Sequence, residues 1–236
     1  MSSGADTRAF AASVLDAVLR QGKSLDTLLT AERLDDFSIQ DRGLVRAWVY
    51  GCLRTQQRNS ELLARLLNKP LRNKDKVIES LMAVGLFQLI DSERPDYAVV
   101  SATVDAAKEL ERPFARGMIN AVLRRFIRER DALMKDVSAL PNVKSELPVW
   151  LVNRLRKDWP EDAAQIIAAS NVQAPMWLRL QSADVSLELP SDSLSDLPLA
   201  RQLHDAVPVE ELPGFAEGLV SVQDAAAQFA AGILAP

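Results

Sequence analysis

The side chains best spaced for chemistry lie in the stretch 114–130, where polar residues recur at helical intervals. Four of them follow one another every four positions: Arg116, Asn120, Arg124 and Arg128. On a helix this spacing gives one continuous track, and the apolar residues of the stretch cluster away from it. Arginine forks bind phosphate bidentately, so the track predicts RNA or DNA binding. An ordinary solvated face, with Glu129 and Asp131 nearby, is the alternative.

Signatures of catalysis are missing from the sequence. It has no Gly-rich phosphate loop and no GxGxxG, GxSxG or HExxH motif. The single cysteine, Cys52, lies on an apolar helical stripe, which predicts a small buried residue rather than a nucleophile. The single histidine, His204, lies in an acidic stretch without a spaced cluster of metal ligands, and we expect it to be exposed. No catalytic, cofactor-binding or metal-binding residue is therefore expected.

Charge is distributed unevenly along the 236 residues, although the net charge is only −4. Residues 1–135 carry 22 Lys and Arg against 18 Asp and Glu, whereas residues 136–236 carry 6 against 14. Arginine accounts for 16 of those 22 cations, which suits contacts with phosphate. A solvated helical surface would explain the same count.

The composition also limits where the protein works. No apolar run approaches the ~20 residues that a membrane helix needs, and the first residues lack a secretory signal. One cysteine excludes an intramolecular disulfide framework and a Cys-rich zinc site. We expect a cytoplasmic protein with no membrane partner and no metal.

Consecutive amphipathic helices are predicted for the first ~135 residues. Gly22 stands where the first helix would end, and Ser38 with Asp41 forms a variant of the capping box. Gly85, within an apolar stripe, would let another helix approach closely. Strand signals are scarce here, so the pattern predicts an all-α bundle.

The sequence pattern changes after Pro141, because prolines recur and divide the chain into short segments. Two helices are predicted: 150–159 and 161–170. Three short strands are predicted: 176–180, 185–189 and 219–222. The acidic, Pro-marked stretch 190–213 is interpreted as a loop, and the whole as a small mixed α/β subdomain.

The end of the chain resembles the opening of a further unit. Gly218 precedes a short β-branched run and an Ala-rich helix over about 223–234, after which the sequence stops. We therefore expect the front part of a longer protein. Three domain ranges are predicted: 1–140 helical and RNA-binding, 141–217 connector, and 218–236 the start of a further domain.

Taken together, several segments resemble the N-terminal part of the bacterial 16S ribosomal RNA cytosine-C5 methyltransferase B family, also called Sun or Fmu. The helical pieces alone look like the NusB fold: Gly22-Lys23-Ser24-Leu25, Tyr50-Gly51-Cys52-Leu53-Arg54, Val84-Gly85-Leu86-Phe87-Gln88-Leu89 and Gly117-Met118-Ile119-Asn120-Ala121-Val122-Leu123-Arg124. The later pieces are more specific to the methyltransferases: Pro175-Met176-Trp177-Leu178-Arg179-Leu180, Leu212-Pro213-Gly214-Phe215 and Val220-Ser221-Val222-Gln223-Asp224-Ala225-Ala226-Ala227-Gln228.

The resemblance implies a NusB-like RNA-binding domain and a connector, cut off before an S-adenosylmethionine-dependent catalytic domain. It implies 16S ribosomal RNA as the partner. The family's chemistry uses cysteines in Pro-Cys and Thr-Cys motifs, whereas Cys52 follows Gly51 and precedes Leu53. We therefore expect this chain alone to be inactive and to bind no S-adenosylmethionine.

Two departures from the family pattern concern the first predicted strand. Family members tend to have a proline where this chain has Ala174, and often have asparagine where it has Gln181. The contacts of this strand with RNA are therefore not carried over. The rival interpretation is a stand-alone NusB-type antitermination factor, which would need only the helical part, and a protein-binding adaptor is a third.

Overall fold

Helices make up the first of two units into which the chain divides. A computed structural model describes residues 4–172 and 174–234, and contacts separate residues 1–171 from 172–236. The helices of the first unit are α1 (Gly4–Gln21), α2 (Leu25–Leu28), α3 (Ala31–Leu34), α4 (Ile39–Arg54), α5 (Gln56–Leu66), α6 (Val77–Asp91), α7 (Asp96–Glu109), α8 (Arg116–Ser138), α9 (Pro141–Ser145), α10 (Val149–Asp158) and α11 (Ala163–Ser170). Two 3-10 turns lie among them: Asn73–Asp75 and Pro113–Ala115.

Local sequence signals set the ends of the early helices. Gly22 follows α1 with a φ of 64°, a left-handed conformation that glycine adopts without strain, and this confirms the predicted end. Ser38 caps α4, because its Oγ accepts a hydrogen bond from the Asp41 N–H at 3.1 Å. The same hydroxyl donates to Asp41 Oδ2 at 2.7 Å, so the predicted capping pair forms.

Helix α6 lies at the centre of the first unit and packs against α1, α4, α5, α7 and α8. Ten of its fifteen residues are buried. A Cβ on Gly85 would lie 3.1 Å from Leu123 Cδ1 and from Thr103 Cγ2, which confirms the close helix approach that the sequence predicts. Gly51 of α4 serves the same purpose, since the Phe87 ring occupies the space of its missing Cβ.

Helix α5 receives its N-terminal cap from a residue far along the chain. Its N-cap residue, Thr55, makes no side-chain cap bond. Instead the Glu146 carboxylate accepts the N–H of Gln57 at 2.8 Å and that of Arg58 at 3.1 Å. Burial raises the pKa of Glu146, while these hydrogen bonds and the Arg58 charge oppose the rise. Glu146 itself has a φ of 49°.

A four-stranded antiparallel sheet forms the second unit, with strand order β2-β3-β1-β4. Its strands are β1 (Trp177–Leu180), β2 (Ser191–Leu194), β3 (Leu197–Leu203) and β4 (Val220–Val222), followed by α12 (Ala225–Leu234). A 3-10 turn, Val209–Glu211, lies between β3 and β4. Five buried residues form a separate small core: Leu178, Leu180, Leu203, Leu212 and Val220. The predicted fold class, a helical bundle with a small α/β subdomain, is confirmed.

Two expectations for the second unit were wrong. The stretch 190–213 is not a loop, because it contains β2 and β3. The sequence did not predict β3 because it contains Pro198, and proline cannot donate a hydrogen bond to a strand ladder. Pro198 lies at a register shift in the pairing of β2 with β3: Leu197 pairs with Leu194, and the next pair is Arg201 with Ser193. A bulge thus removes the need for its missing N–H.

The predicted strand 185–189 does not form. Val185, Leu187 and Leu189 pack against the small core without pairing with a neighbouring strand. The alternation of apolar residues arises because an extended segment buries every second side chain. An extended segment can do this without pairing to a neighbouring strand.

Contacts place two segments differently from the predicted domain ranges. Helices α10 and α11, predicted in the connector, belong to the unit 1–171. Strand β4, predicted to open a further domain, pairs with β1, and α12 packs against β1 and β3. The ranges 1–140, 141–217 and 218–236 stay a prediction about domain identity. Among the described residues, no helix is long and apolar enough to cross a membrane.

Candidate nucleic-acid interface on α8 and the adjoining cleft

Helix α8 carries the predicted track because its opposite side is anchored in the core. Ile119, Leu123 and Phe126 are completely buried, and Val137 anchors the last turn in the same way. Such an apolar stripe on a helix of 23 residues leaves the other side to solvent. The exposed side holds the polar residues that the sequence singled out.

The middle of the track is well placed for phosphate. Arg124 is exposed, and its Nε donates to Asn120 Oδ1 at 2.9 Å, so the two side chains act as one unit. Because Asn120 accepts only the Nε–H of Arg124, the remaining guanidinium N–H groups are available to a ligand. Arg128 is exposed one turn further, with no hydrogen bond or ion pair to the described residues.

Arg116, at the start of the track, has a different environment. Its Nη2 lies 2.9 Å from Asp105 Oδ1 of α7, and both side chains are nearly half exposed. The carboxylate offsets its charge, so the guanidinium of Arg116 is less available to an anion than that of Arg124 or Arg128. The structure brings Asn120, Arg124 and Arg128 together and ties Arg116 to α7.

A cleft of about 860 Å³ opens beside the track, between α8 and the segment 66–75. One wall is the α8 side that carries Met118, Ala121 and Arg125, and the exposed ring of Phe114 lies at its entrance. The other wall is the segment between α5 and α6. The sequence suggests Arg72, Lys74 and Lys76 as an alternative RNA site, but it does not predict the cleft itself.

Three exposed cations border the cleft on the side of the 66–75 segment: Lys69, Arg72 and Lys74. Their side chains make no ion pair with the described residues. The acid on this wall, Asp75, pairs with Arg112 at 3.2 Å. Lys76 pairs with Glu79 at 3.2 Å and does not border the cleft. The cleft therefore has a cationic rim in a protein of net negative charge.

Two arginines hold the walls of the cleft together. Arg125 Nη1 donates to the Arg65 carbonyl at 3.2 Å, at the C-terminal end of α5. The dipole of α5 also stabilises a cation at this end. Arg112 Nη2 donates to the Lys74 carbonyl at 3.2 Å. Because these bonds link the helix side to the loop side at two points, the cleft is a built feature of the first unit.

Two family models match two separate stretches of the chain. The model of the NusB family matches residues 5–128, more than half of the chain. The chain belongs to the NusB family. A second model, the ferredoxin-like domain of RsmF/B-like methyltransferases, matches residues 147–209. The NusB match contains the α8 track and the cleft.

Several curated relatives of this NusB-family chain are named ribosomal RNA small subunit methyltransferase B. The protein from Pseudomonas syringae pv. tomato is 40% identical over 96% of this chain and 53% of its own length. The protein from Escherichia coli O6:H1 is 36% identical over 100% of this chain and 57% of its own length. The protein from Klebsiella pneumoniae is 35% identical over 97% of this chain and 55% of its own length. The chain thus spans about half the length of these relatives.

A solved structure shares the fold of this NusB-family chain. The crystal structure of PH0851 matches with a TM-score of 0.66 at 11% sequence identity, over 100% of this chain and 56% of that one. At this identity the likeness concerns the fold alone. The predicted resemblance, a NusB domain followed by a methyltransferase-associated domain, is confirmed.

The environments of the single cysteine and the single histidine of the NusB-family chain do not indicate nucleophilic or metal chemistry. Cys52 is buried at 1% exposure, and burial raises the pKa of its thiol, so it is inert as a nucleophile. His204 is half exposed, with Nε2 3.1 Å from Asp192 Oδ1. Across residues 4–172 and 174–234, no group of three or more His, Cys, Asp or Glu could hold a metal ion.

The features missed from the sequence have recognisable causes. The sequence pattern places Phe114 at the start of the helical stretch 114–130 and Arg112 with Pro113 at a break between helices, whereas the structure places Phe114 in the 3-10 turn before α8. Arg125 adjoins Arg124 in sequence but lies on the neighbouring side of α8, with Met118 and Ala121. A helical plot of 114, 118, 121 and 125 would have shown that these residues share one face beside the predicted track and that this face ends in a cation.

Proposed function

We propose that this chain is the RNA-binding, substrate-positioning part of an S-adenosylmethionine-dependent 16S ribosomal RNA cytosine-C5 methyltransferase. The observation that carries the proposal is the combination of a NusB domain and a methyltransferase-associated ferredoxin-like domain in one chain. Relatives named ribosomal RNA small subunit methyltransferase B align over nearly all of it. The protein acts in the cytoplasm.

The α8 track supplies the RNA contacts in this proposal. Arg124 and Arg128 bind phosphates one helical turn apart, with Asn120 orienting Arg124 at 2.9 Å. Such contacts fix the position of an RNA without reading its sequence. Arg116 contributes less, because Asp105 competes with phosphate for its guanidinium.

Methyl transfer itself belongs to another part of the complete enzyme. The family chemistry requires a thiolate that attacks cytosine, and the one cysteine of this chain is buried with a raised thiol pKa. The cavity beside Cys52 measures about 160 Å³, below the range of ~300–1,000 Å³ typical of cofactor sites. The space beside the one cysteine is therefore too small for S-adenosylmethionine, and we expect the isolated chain to be inactive.

A stand-alone antitermination factor is the weaker candidate. A NusB domain alone would serve that function, and it accounts for residues 5–128. It leaves the ferredoxin-like match over 147–209 without a purpose. The two candidates differ in the RNA that the chain prefers.

Filter binding with 16S ribosomal RNA fragments and an antitermination RNA, over a series of salt concentrations, tests the proposal. We expect preference for the ribosomal fragments. Each phosphate contact to single-stranded RNA adds about −0.7 to the slope of log affinity against log salt. Arg124→Ala with Arg128→Ala should therefore flatten the slope by roughly one to two units.

Arg156→Ala with Lys157→Ala is the matched control, since both residues are exposed on α10 of the same unit. It should leave the slope unchanged. Equal effects of the two double variants would remove the RNA site from α8, and preference for the antitermination RNA would favour the rival. Methylation of unmodified 16S RNA by the isolated chain would contradict its inactivity.

A further inference from the structure

The ring of Phe114 is the most accessible apolar surface of the cleft beside α8. It is 68% exposed, whereas Leu66 and Val122 in the same cleft are 4% and 5% exposed. Met118 is only half-buried, but it packs against the core. Leu67 and Leu71 are half-buried as well, so Phe114 is the one large apolar side chain of the cleft that is mostly exposed.

The charges without a partner on the 66–75 wall of the cleft are all positive among the described residues. Lys69, Arg72 and Lys74 border the cleft without a carboxylate partner among the described residues, and Asp75 is neutralised by Arg112 at 3.2 Å. A polyanion with exposed rings matches this arrangement, because its phosphates meet the rim and its bases meet Phe114.

We propose that the cleft holds a segment of single-stranded RNA, with one unpaired base stacked on Phe114 and the flanking phosphates on Lys69, Arg72 and Lys74. The inference rests on the proposed RNA-binding function and adds a second element to it. The α8 track contacts the backbone, whereas the cleft selects unpaired RNA over a duplex, whose bases are already stacked on each other.

The cleft is prepared for this ligand before binding. Phe114 lies in a 3-10 turn directly after Arg112, whose guanidinium donates to the Lys74 carbonyl at 3.2 Å. Arg125 links α8 to the end of α5 at 3.2 Å. Because these bonds link the backbone segments that carry the ring and the rim, binding has to order mainly their side chains. The volume of about 860 Å³ accommodates a stacked nucleotide and its neighbours.

An acidic amphipathic peptide is the occupant to distinguish from RNA. A peptide helix would need a row of apolar contacts along a groove. Leu66 is buried at 4% exposure, and Leu67 and Leu71 are half-buried and pack against the core, so the Phe114 ring is the largest open apolar side chain of the cleft. One ring flanked by cations suits a base between phosphates better than a peptide.

Fluorescence titration with an RNA of about 12 nucleotides tests the inference. The RNA carries 2-aminopurine, whose emission falls when it stacks on an aromatic ring, and a duplex of the same sequence serves as comparison. Phe114→Ala should weaken single-strand binding at least about 5-fold and abolish the quenching, without changing the salt slope. Phe114→Trp should restore both.

Tyr97→Ala is the matched control, because Tyr97 is 78% exposed on α7 and does not line the cleft. It should bind like the unaltered chain. The high exposure of both rings leaves folding intact, which circular dichroism verifies.

Each contrary outcome has its own meaning. Unchanged affinity of Phe114→Ala overturns the cleft assignment but leaves the proposed function standing, provided that the Arg124 and Arg128 double variant still binds more weakly. Equal weakening for single strand and duplex overturns base stacking. Displacement of the RNA by an acidic helical peptide at equal or lower concentration would make a protein the occupant, and no RNA binding by the unaltered chain would overturn both proposals.

Discussion

Helices α6 and α12 are both rich in apolar residues, yet their surroundings are opposite. Ten of the fifteen residues of α6 are buried. All ten residues of α12 belong to the described part of the chain, and none of them is buried. Ile233 and Leu234 are 80% and 79% exposed. An apolar sequence therefore does not determine whether a helix is stable; the elements available to pack against it do.

Hydrogen exchange should show the largest difference between the two helices. Amides of 77–91 should exchange only through global unfolding of their unit, at about 5–15 kcal/mol. Amides of 223–234 should be nearly unprotected, because a helix of ten residues is marginal without burial. Mass spectrometry of the exchanged chain measures both. Strong protection of 223–234 would mean that contacts with β1 and β3, and the Gln228 bond to the Leu178 carbonyl, hold α12 in place.

The same leucine-to-alanine change should lower the free energy of unfolding much more in α6 than in α12. Leu86→Ala removes a completely buried side chain of α6 and should cost about 2–5 kcal/mol in the free energy of unfolding. Leu234→Ala removes the same atoms from a position that is 79% exposed and should stay within about 0.5 kcal/mol. Urea titration followed by circular dichroism compares them. Similar losses would show that α12 is anchored.

Two glycines of α4 refine the comparison within a single helix. Gly51→Ala places a Cβ inside the Phe87 ring of α6 and should cost about 1–3 kcal/mol. Gly43→Ala meets nothing within 4 Å and should stabilise the unit by about 0.5–1 kcal/mol. Thermal unfolding of the two variants measures the signs. A stabilising Gly51→Ala would show that Phe87 moves aside at no cost.

The features that the sequence predicted correctly are local ones. Ser38 and Asp41 are three residues apart, and Gly22 directly follows the helix that it ends, so neighbouring residues decide both outcomes. The apolar spacing of α8 likewise places Arg124 and Arg128 on its exposed side. Periodicity and capping act over one or two turns, and these are the distances that a single sequence displays.

The features that were missed depend on contacts between distant segments. The cleft arises where Lys69 and Arg72 meet Phe114 and Arg125, which lie some fifty residues later. Strand β3 forms because a bulge accommodates Pro198 in a ladder that no local pattern reveals. The ion pair of Arg116 with Asp105 belongs to the same class, since helix packing brings the two together.

The cap that Glu146 places on α5 links the fold to the order of protein synthesis. Glu146 lies 89 residues after Gln57, whose N–H it accepts. At a translation rate of about 5–20 residues per second, α5 leaves the ribosome roughly 5–20 s before its cap exists. During that interval the first turn of α5 is held by water and by its apolar contacts alone. Synthesis of Glu146 then completes a helix made many residues earlier, so this helix is capped only when residue 146 of the 171 in the unit has been translated.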